Sequence, residues 1–391
     1  MRNPREAHGL IPTRGHDRQT AAGIGERGGR IAFVLPSFAG GGAERVVVTV
    51  AGTLAQRGGD IHLIALSGAG PLASLAPAGL PVHVLERPRV RQALPALVRT
   101  IHRLRPTALI STISQLNLAM AALRPVLPAS MAVYLRETNT PSHNLANLPP
   151  LPSLLMRSGY RVLYPKATGV VCNAAIVARE LELDFLVEPA RIHRIDNPVD
   201  IAGLRARAQS VRRAAGPGAR FVAAGRLTRQ KGFDRLVESF ARLSPDSHLT
   251  ILGEGPDESA LRRRVEDLGL AKQISLAGFQ AEPWRAYAGA DAFLLPSRWE
   301  GMPNAALEAL ACGTPVIATP EAGGIAEVAE DAASGAVSMA EWGDAFDTAM
   351  AAVVANPRPD PLRASLLPSR FSLDAVVDRW SDLLDCGGAA R

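Results

Sequence analysis

The chain has 391 residues, of which 47% are hydrophobic and 20% charged, and a formal net charge of +6. At roughly 100–200 residues per domain this length exceeds one compact core and points to two, and the composition excludes general disorder. The positive excess comes from scattered Arg, with Lys only at Lys166, Lys231 and Lys272, so no basic run interleaved with aromatics marks a nucleic-acid surface and nucleic acid is not expected as a partner.

Residues 1–29 are polar, rich in Arg and Gly, and lack the apolar run of a signal peptide, which predicts a disordered leader. From Arg30 onward short apolar runs alternate with amphipathic stretches: IAFVLPS (31–37), IHLIALS (61–67), ALISTI (108–113), MAVYLRE (131–137) and GVVCN (169–173). Strands that are apolar throughout predict a parallel sheet covered by helices on both faces. A second series follows the loop at 208–219: RFVAAGRL (220–227), HLTILGEG (248–255), QISLAGF (273–279), DAFLLPS (291–297) and PVIATP (315–320). The α/β pattern is thus repeated in two doubly wound halves that would face each other across a cleft, with ligands at the carboxyl ends of the strands. The boundary falls near Asn197-Pro198-Val199-Asp200, where Pro ends the strand RIHRIDN. Apolar residues at Val376, Val377, Trp380, Leu383 and Leu384 predict an amphipathic helix over 371–384.

Chemistry-bearing residues follow strands. The first strand runs into Gly40, Gly41 and Gly42 ahead of a helix at 45–57, an arrangement that either seats a phosphate or reacting sugar on backbone N–H groups or merely turns the chain. Its spacing is neither a Walker A loop nor GxGxxG. In the second half Gly225 and Arg226 end a strand, and Lys231 stands where the next helix opens; a forked and a compact cation together suit a diphosphate. The segment 297–310, SRWEGMPNAALEAL, places Pro303 in the first turn of a helix, Glu300 just ahead of it and Glu308 about two turns along. Two such carboxylates can accept hydrogen bonds from the hydroxyls of a sugar and a ribose, leaving helix N-terminal amides for phosphate. Glu321-Ala322-Gly323-Gly324 is a further glycine turn that either lines the site or only turns the chain.

Cys172, Cys312 and Cys386 are far apart and lack a CxxC partner, and the histidines are dispersed, so neither a disulfide framework nor a metal site is expected. A cytoplasmic location follows from the cysteines. The longest uncharged stretch, 108–123, is broken by Ser, Thr, Gln and Asn, so no transmembrane helix is expected.

Together the motifs GGAER (41–45), NPVD (197–200), GRLTRQKGFD (225–234), ILGEGP (251–256), LAGF (276–279), Glu300-x7-Glu308 with its tail EALACGTPVIAT, and AGGIAEV (322–328) resemble the retaining glycosyltransferases of family 4. That resemblance spans nearly the whole chain beyond the leader. It implies the GT-B architecture: a Rossmann-like acceptor domain at 30–199, a Rossmann-like nucleotide-sugar domain at 200–370, and a segment 371–391 whose helix crosses back to the first domain. It also implies that Arg226 and Lys231 bind the donor diphosphate, Glu308 the ribose and Glu300 the transferred sugar. Gly225, Gly301, Met302, Pro303 and Asn304 would complete the donor site, Gly278 and Phe279 would lie beside the base, and Gly40, Gly41 and Gly42 would approach from the other domain. Retention would proceed by front-face attack, with the departing phosphate accepting the proton and no metal or other cofactor required.

Where many relatives carry an acceptor-side histidine, this chain reads YLRETNTPSH (134–143); Arg136, Glu137 or Asn139 could fill that place, and His143 lies too far along for it. The PNAAL form of the glutamate element resembles members that build bacterial surface polysaccharide or lipid-linked oligosaccharide, which implies a glycan or polyprenyl-linked acceptor. The basic N-terminal half suits peripheral contact with an anionic membrane. Competing readings are a nucleotide-sugar epimerase of the same architecture, a non-catalytic nucleotide-sugar-binding protein, and a nicotinamide-dependent oxidoreductase, for which a GxGxxG turn is missing.

Overall fold

The computed structural model describes residues 29–211, 217–355 and 362–389. Apart from Gly29, the expected leader lies outside the described residues, as do 390 and 391. The first half runs β1 (Ile31–Leu35), α1 (Gly42–Gln56), β2 (Ile61–Ala65), β3 (Val82–Val84), α2 (Val90–Leu104), β4 (Ala108–Thr112), α3 (Ser114–Leu123), β5 (Ala132–Glu137), α4 (Pro141–Ala146), α5 (Pro150–Leu163), β6 (Gly169–Cys172), α6 (Ala175–Leu183) and β7 (Ile192–Arg194). The second runs α7 (Ile201–Ala208), β8 (Arg220–Ala224), α8 (Phe233–Phe240), β9 (His248–Leu252), α9 (Glu258–Asp267), β10 (Ile274–Leu276), α10 (Trp284–Gly289), β11 (Ala292–Leu295), α11 (Asn304–Ala311), β12 (Val316–Ala318), α12 (Ile325–Asp331), β13 (Val337–Met339), α13 (Asp344–Ala351) and α14 (Leu373–Ala389).

All strand pairings are parallel, in a seven-stranded sheet ordered β3-β2-β1-β4-β5-β6-β7 and a six-stranded sheet ordered β10-β9-β8-β11-β12-β13. Ile31 sits opposite Ile61 on one side and Ala108 on the other, so the order reverses at β1/β4; it reverses again at β8/β11. Such switch points open a crevice at the carboxyl ends of the strands. The glycine loop follows β1, Arg226 and Lys231 follow β8, and Glu300 follows β11, so each motif stands at one of the two crevices.

The ten apolar runs account for the nine inner strands and for the edge strand β10. The sequence does not announce β3 and β13, each three residues long at a sheet edge and mostly exposed. An edge strand with a wet face needs no continuous apolar run. Helix α1 contains the run VVVTV, poor in helix propensity, yet Val46, Val47, Val48, Val50, Ala51 and Leu54 are all buried, and burial on nearly every side decides its fold.

Several expected boundaries shift. Helix α1 begins at Gly42, three residues before the predicted start. Pro303 is the cap of α11 rather than a residue of its first turn, which leaves Glu308 little more than one turn in. Lys231 belongs to a separate single 3-10 turn, because left-handed Gly232 (φ +69°) breaks the chain before α8. The last helix, α14, starts at Leu373 rather than 371 and continues to Ala389.

One core cluster lies between β1–β7 and α2, α3 and α5 and continues through Ala174, Met302, Ala322 and Ile325 into the second half. A second covers the opposite face of the first sheet, where Val376, Val377, Trp380 and Leu384 of α14 join α1. A third lies under α8 and α9. The chain reaches α14 by a β-bridge between Val199 and Ser372, with Val199 N donating to Phe371 O at 2.8 Å and Leu373 N to Val199 O at 3.0 Å.

Candidate functional site between the two sheets

Three strand ends stack to form the second-half wall. Gly253 N donates to Gly278 O at 2.8 Å, and a Cβ on Gly253 (φ +128°) would lie 2.0 Å from Gly225 O, so only glycine lets these turns touch. Beside them Arg226 is exposed, and Phe279 is 53% exposed on the turn after β10. The stem of Lys231 lies over Gly225, within 3.0 Å of where a Cβ would stand.

Lys231 Nζ donates to Glu300 Oε1 at 2.6 Å, and Ser297 Oγ donates to the same oxygen at 2.7 Å. The Glu300 side chain is 6% exposed and that of Lys231 19%, so the pair is largely withdrawn from water and depends on its internal partners. Among the described residues Oε2 takes no hydrogen bond, which leaves it for a ligand hydroxyl. The loop carrying Glu300 is fixed from below. Arg235 donates to Pro296 O at 3.0 and 2.7 Å, Thr319 Oγ1 to Ser297 O at 2.8 Å, and Arg298 forks onto Asp234 with two bonds of 2.7 Å. This bidentate pair ties the start of α8 to the Glu300 loop, and Arg298 Nη1 also donates to Arg229 O of the Lys231 turn at 2.8 Å.

The first half closes against this wall. Gly301 N donates to Asn139 Oδ1 at 3.1 Å, and a Cβ on Gly301 would stand 1.9 Å from Thr138 O. Behind it, Gly324 N donates to Gly301 O at 2.7 Å, and a Cβ on Gly323 (φ +65°) would lie 2.2 Å from Glu300 O. The 322–328 turn therefore seats the backbone of Glu300 and Gly301.

A polar chain runs alongside. Arg136 Nη2 donates to Asn197 Oδ1 at 2.8 Å, Asn197 Nδ2 to Asn304 Oδ1 at 2.7 Å, and Asn304 Nδ2 to Gly42 O at 3.3 Å. Arg136 also donates to Ala43 O at 3.4 Å. It is buried beneath the glycine loop, and burial pushes its pKa down to about 10 against the opposing charges of Glu44 and Glu137. Glu137 is buried too and accepts from Ser114 Oγ at 2.8 Å and Tyr164 OH at 2.6 Å; desolvation raises its carboxyl above the usual range. Neither residue is open to a ligand, whereas Asn139 lies directly at the contact between the halves.

His143, which its spacing alone places too far along, stacks on Trp299 with ring centroids 5.3 Å apart and 12° between planes. Its Nδ1 shares a 2.7 Å hydrogen bond with Thr140 Oγ1, and desolvation lowers its pKa. Glu308 faces Arg45 of α1 at 3.8 Å; burial raises its pKa, with Arg45 and Arg207 opposing. Sequence reasoning missed Asn197, Ser297, Trp299 and the role of His143. Only Ser297, at the end of its strand beside the glutamate element, left a local signal. Ile113, at the end of β4, holds φ +77°, a conformation costly for a β-branched residue by about 1–3 kcal/mol. Its sequence gives no hint of that strain.

Among the described residues no group of three His, Cys, Asp or Glu could hold a metal ion, and no helix is long and apolar enough to cross a membrane.

The family model for Glycosyltransferase Family 4 matches residues 40–202, and that for Glycosyl transferases group 1 matches 208–366. The chain belongs to this glycosyltransferase family. It is 27% identical over 316 residues, 77% of this chain and 84% of the relative, to N-acetylgalactosamine-N,N'-diacetylbacillosaminyl-diphospho-undecaprenol 4-alpha-N-acetylgalactosaminyltransferase of Campylobacter jejuni. It is 30% identical to the lipopolysaccharide core biosynthesis glycosyltransferase LpsD of Rhizobium meliloti, over 44% of this chain and 50% of that one. Its fold matches HepE of Anabaena, solved with UDP and glucose, at a TM-score of 0.71 and 17% identity, covering 92% of this chain and 100% of that one.

In this glycosyltransferase four of the segments that carry the family resemblance converge. GGAER meets the start of α11 through Gly42 and Asn304, GRLTRQKGFD supplies Lys231 to Glu300, and AGGIAEV lies beneath Glu300 and Gly301.

Proposed function

We propose that this glycosyltransferase transfers a sugar, with retention at the anomeric carbon, from a nucleotide diphosphate sugar to a glycan or polyprenyl-linked acceptor, and so builds bacterial surface polysaccharide or glycoconjugate. The observation that carries this reading is the Lys231–Glu300 pair at the β8/β11 crevice, where a cation for phosphate and a carboxylate for a sugar hydroxyl stand 2.6 Å apart. Arg226 and Lys231 hold the diphosphate, and Glu300 Oε2 accepts from the sugar. Glu308 takes the ribose hydroxyls. Gly225, Gly301, Met302, Pro303 and Asn304 line the donor, and Gly278 and Phe279 flank the base. Gly40, Gly41, Gly42 and Asn139 approach from the acceptor side.

The bond from the anomeric carbon to the diphosphate oxygen breaks while one to the acceptor oxygen forms on the same face, and the acceptor proton passes to the departing phosphate. Two cations stabilise the charge that develops on that leaving group, each charged hydrogen bond being worth about 1.5–3 kcal/mol. No metal is required, so transfer should persist in EDTA. UDP is the favoured nucleotide, supported by the ligands solved with HepE, and a lipid-linked acceptor is supported by the substrate named for the Campylobacter relative. The enzyme would act in the cytoplasm, at the inner face of the membrane.

The test is nucleoside diphosphate release from UDP, GDP and ADP sugars with glycan and polyprenyl-diphosphate-linked acceptors, followed by the anomeric coupling constant of the product. Inversion at the anomeric carbon would end the retaining mechanism. Sugar isomerisation without any acceptor would replace the transferase with an epimerase.

A further inference from the structure

Helix α5 leaves Leu151, Leu154, Leu155 and Val162 exposed by 65%, 60%, 65% and 56%. Its other side is well seated: Tyr160 is fully buried, and Gly159 lies within 3.0 Å, measured from an added Cβ, of Leu118 on α3. Leu151, Leu155 and Val162 fall at helical spacing in a stripe about 16 Å long, with Leu154 beside it. Arg157 and Arg161, both exposed, continue the row that begins at Leu154. Four large apolar side chains in one helix, bordered by arginines, form a patch rather than the scattered exposure normal for a surface.

The helices of this face are one-signed: α2, α3 and α5 carry Arg91, Arg99, Arg103, Arg157 and Arg161 and no acid, with Glu180 of α6 near Arg157 and the Asp184 carbonyl accepting from Arg161 Nε at 3.0 Å along one edge. Between Glu86 and Glu180 the sequence holds twelve Arg and Lys and one acid, Glu137, which is buried. Helix α3 packs between α2 and α5 on the same face of the seven-stranded sheet, and the exposed arginines at 91, 99 and 103 lie on α2. A second copy meeting this face about a two-fold axis would set like charges against each other. Nucleic acid would satisfy the arginines and leave the leucines unused. A bilayer with anionic headgroups answers both, taking the leucines below its headgroups while the arginines stay at phosphate level.

We propose that α5 docks this enzyme on an anionic membrane, its leucine edge entering the headgroup region and the α2–α3–α5 face lying against the surface. The segment before α5 carries Asn139, bonded to Gly301, and His143, stacked on Trp299. Docking there brings the acceptor side of the cleft to the lipid. This rests on the lipid-linked acceptor reading for its purpose, but vesicle binding needs neither donor nor acceptor, so the two fail separately.

The test uses the full chain with phosphatidylcholine vesicles, with and without phosphatidylglycerol. The wild type should bind the anionic vesicles and release with salt. The variant L151Q/L154Q/L155Q should bind roughly a hundredfold more weakly, and R157Q/R161Q about thirtyfold, at ~1 kcal/mol for each charge. Both should keep the wild-type melting temperature and donor-dependent stabilisation. Because residues 1–28 are present in every protein, the differences isolate α5. Equal binding by the wild type and the leucine variant would overturn the proposal, as would binding indifferent to lipid charge. Sedimentation showing that the leucine variant breaks a dimer would assign the patch to a second copy instead.

Discussion

Lys231 Nζ and Ser297 Oγ meet on a single oxygen of Glu300, at 2.6 and 2.7 Å, so the carboxylate at the crevice is held by one charged and one neutral donor. Replacing Lys231 by Met leaves a buried carboxylate with Ser297 alone. Because Lys231 is partly exposed, the stability loss should be about 2–3 kcal/mol, below that of a fully buried pair. Combining it with Glu300→Gln should recover most of that loss, while sugar transfer stays down by at least ~100-fold in all three variants. Urea unfolding and nucleoside diphosphate release separate the two effects. Recovery of activity in the double variant would show that the pair serves stability only.

Arg226 is exposed, so Arg226→Ala should leave the melting temperature of the free protein unchanged. The stabilisation conferred by the nucleotide sugar should shrink, with donor affinity falling by about ten- to a hundredfold, the range for one lost charged hydrogen bond. An unaltered donor response would remove Arg226 from the site.

Gly301 has no room for a side chain, since a Cβ would stand 1.9 Å from Thr138 O. Gly301→Ala should therefore part the two halves while leaving each sheet intact. Small-angle scattering should show a larger radius of gyration with an unchanged far-ultraviolet spectrum, and transfer should fall by at least ~100-fold, as reacting groups lose their alignment. A compact, active Gly301→Ala would contradict the tight contact.

His143 has its pKa lowered by desolvation against Trp299. Below about pH 6.5 the unfolded chain takes up this proton more readily than the folded one. The His143 contribution to stability is thus lost as pH falls from the unfolded value through the lower folded one, and is level above and below that window. His83 and His193 are shifted in the same direction, so the informative quantity is the difference between wild type and His143→Gln from pH 8 to about 5. That difference should change as the pH falls; a constant one would show that His143 titrates alike in both states.

The fold was legible because its buried strands are continuous apolar runs, and β3 and β13 escaped because an edge strand with an exposed face carries no such run. Within the site, Lys231 and Glu300 stood out as polar residues next to strand ends and glycine turns. Asn304 was expected at the donor, but its bond to Asn197 was not, because that contact joins residues 107 apart and exists only when the two halves meet. His143 and Trp299 are hidden for the same reason: no local period encodes a stack between separate sheets. Arg136 looked like a ligand-facing residue at a strand end, and only the glycine loop folded above it reveals that it is buried.

The chain passes between its halves twice, and at Val199 and Ser372 the two passages are bonded side by side. A single connecting strand could bend and also twist about its own axis. Two strands joined edge to edge resist torsion and slip, and leave bending as the soft motion, like a door hung on one jamb. Any opening of the cleft would then pivot at this junction, and a swing that separated Asn139 from Gly301 would also separate His143 from Trp299. Severing the chain just before Ser372 would free the halves to twist as well as to swing, even with α14 still packed on α1.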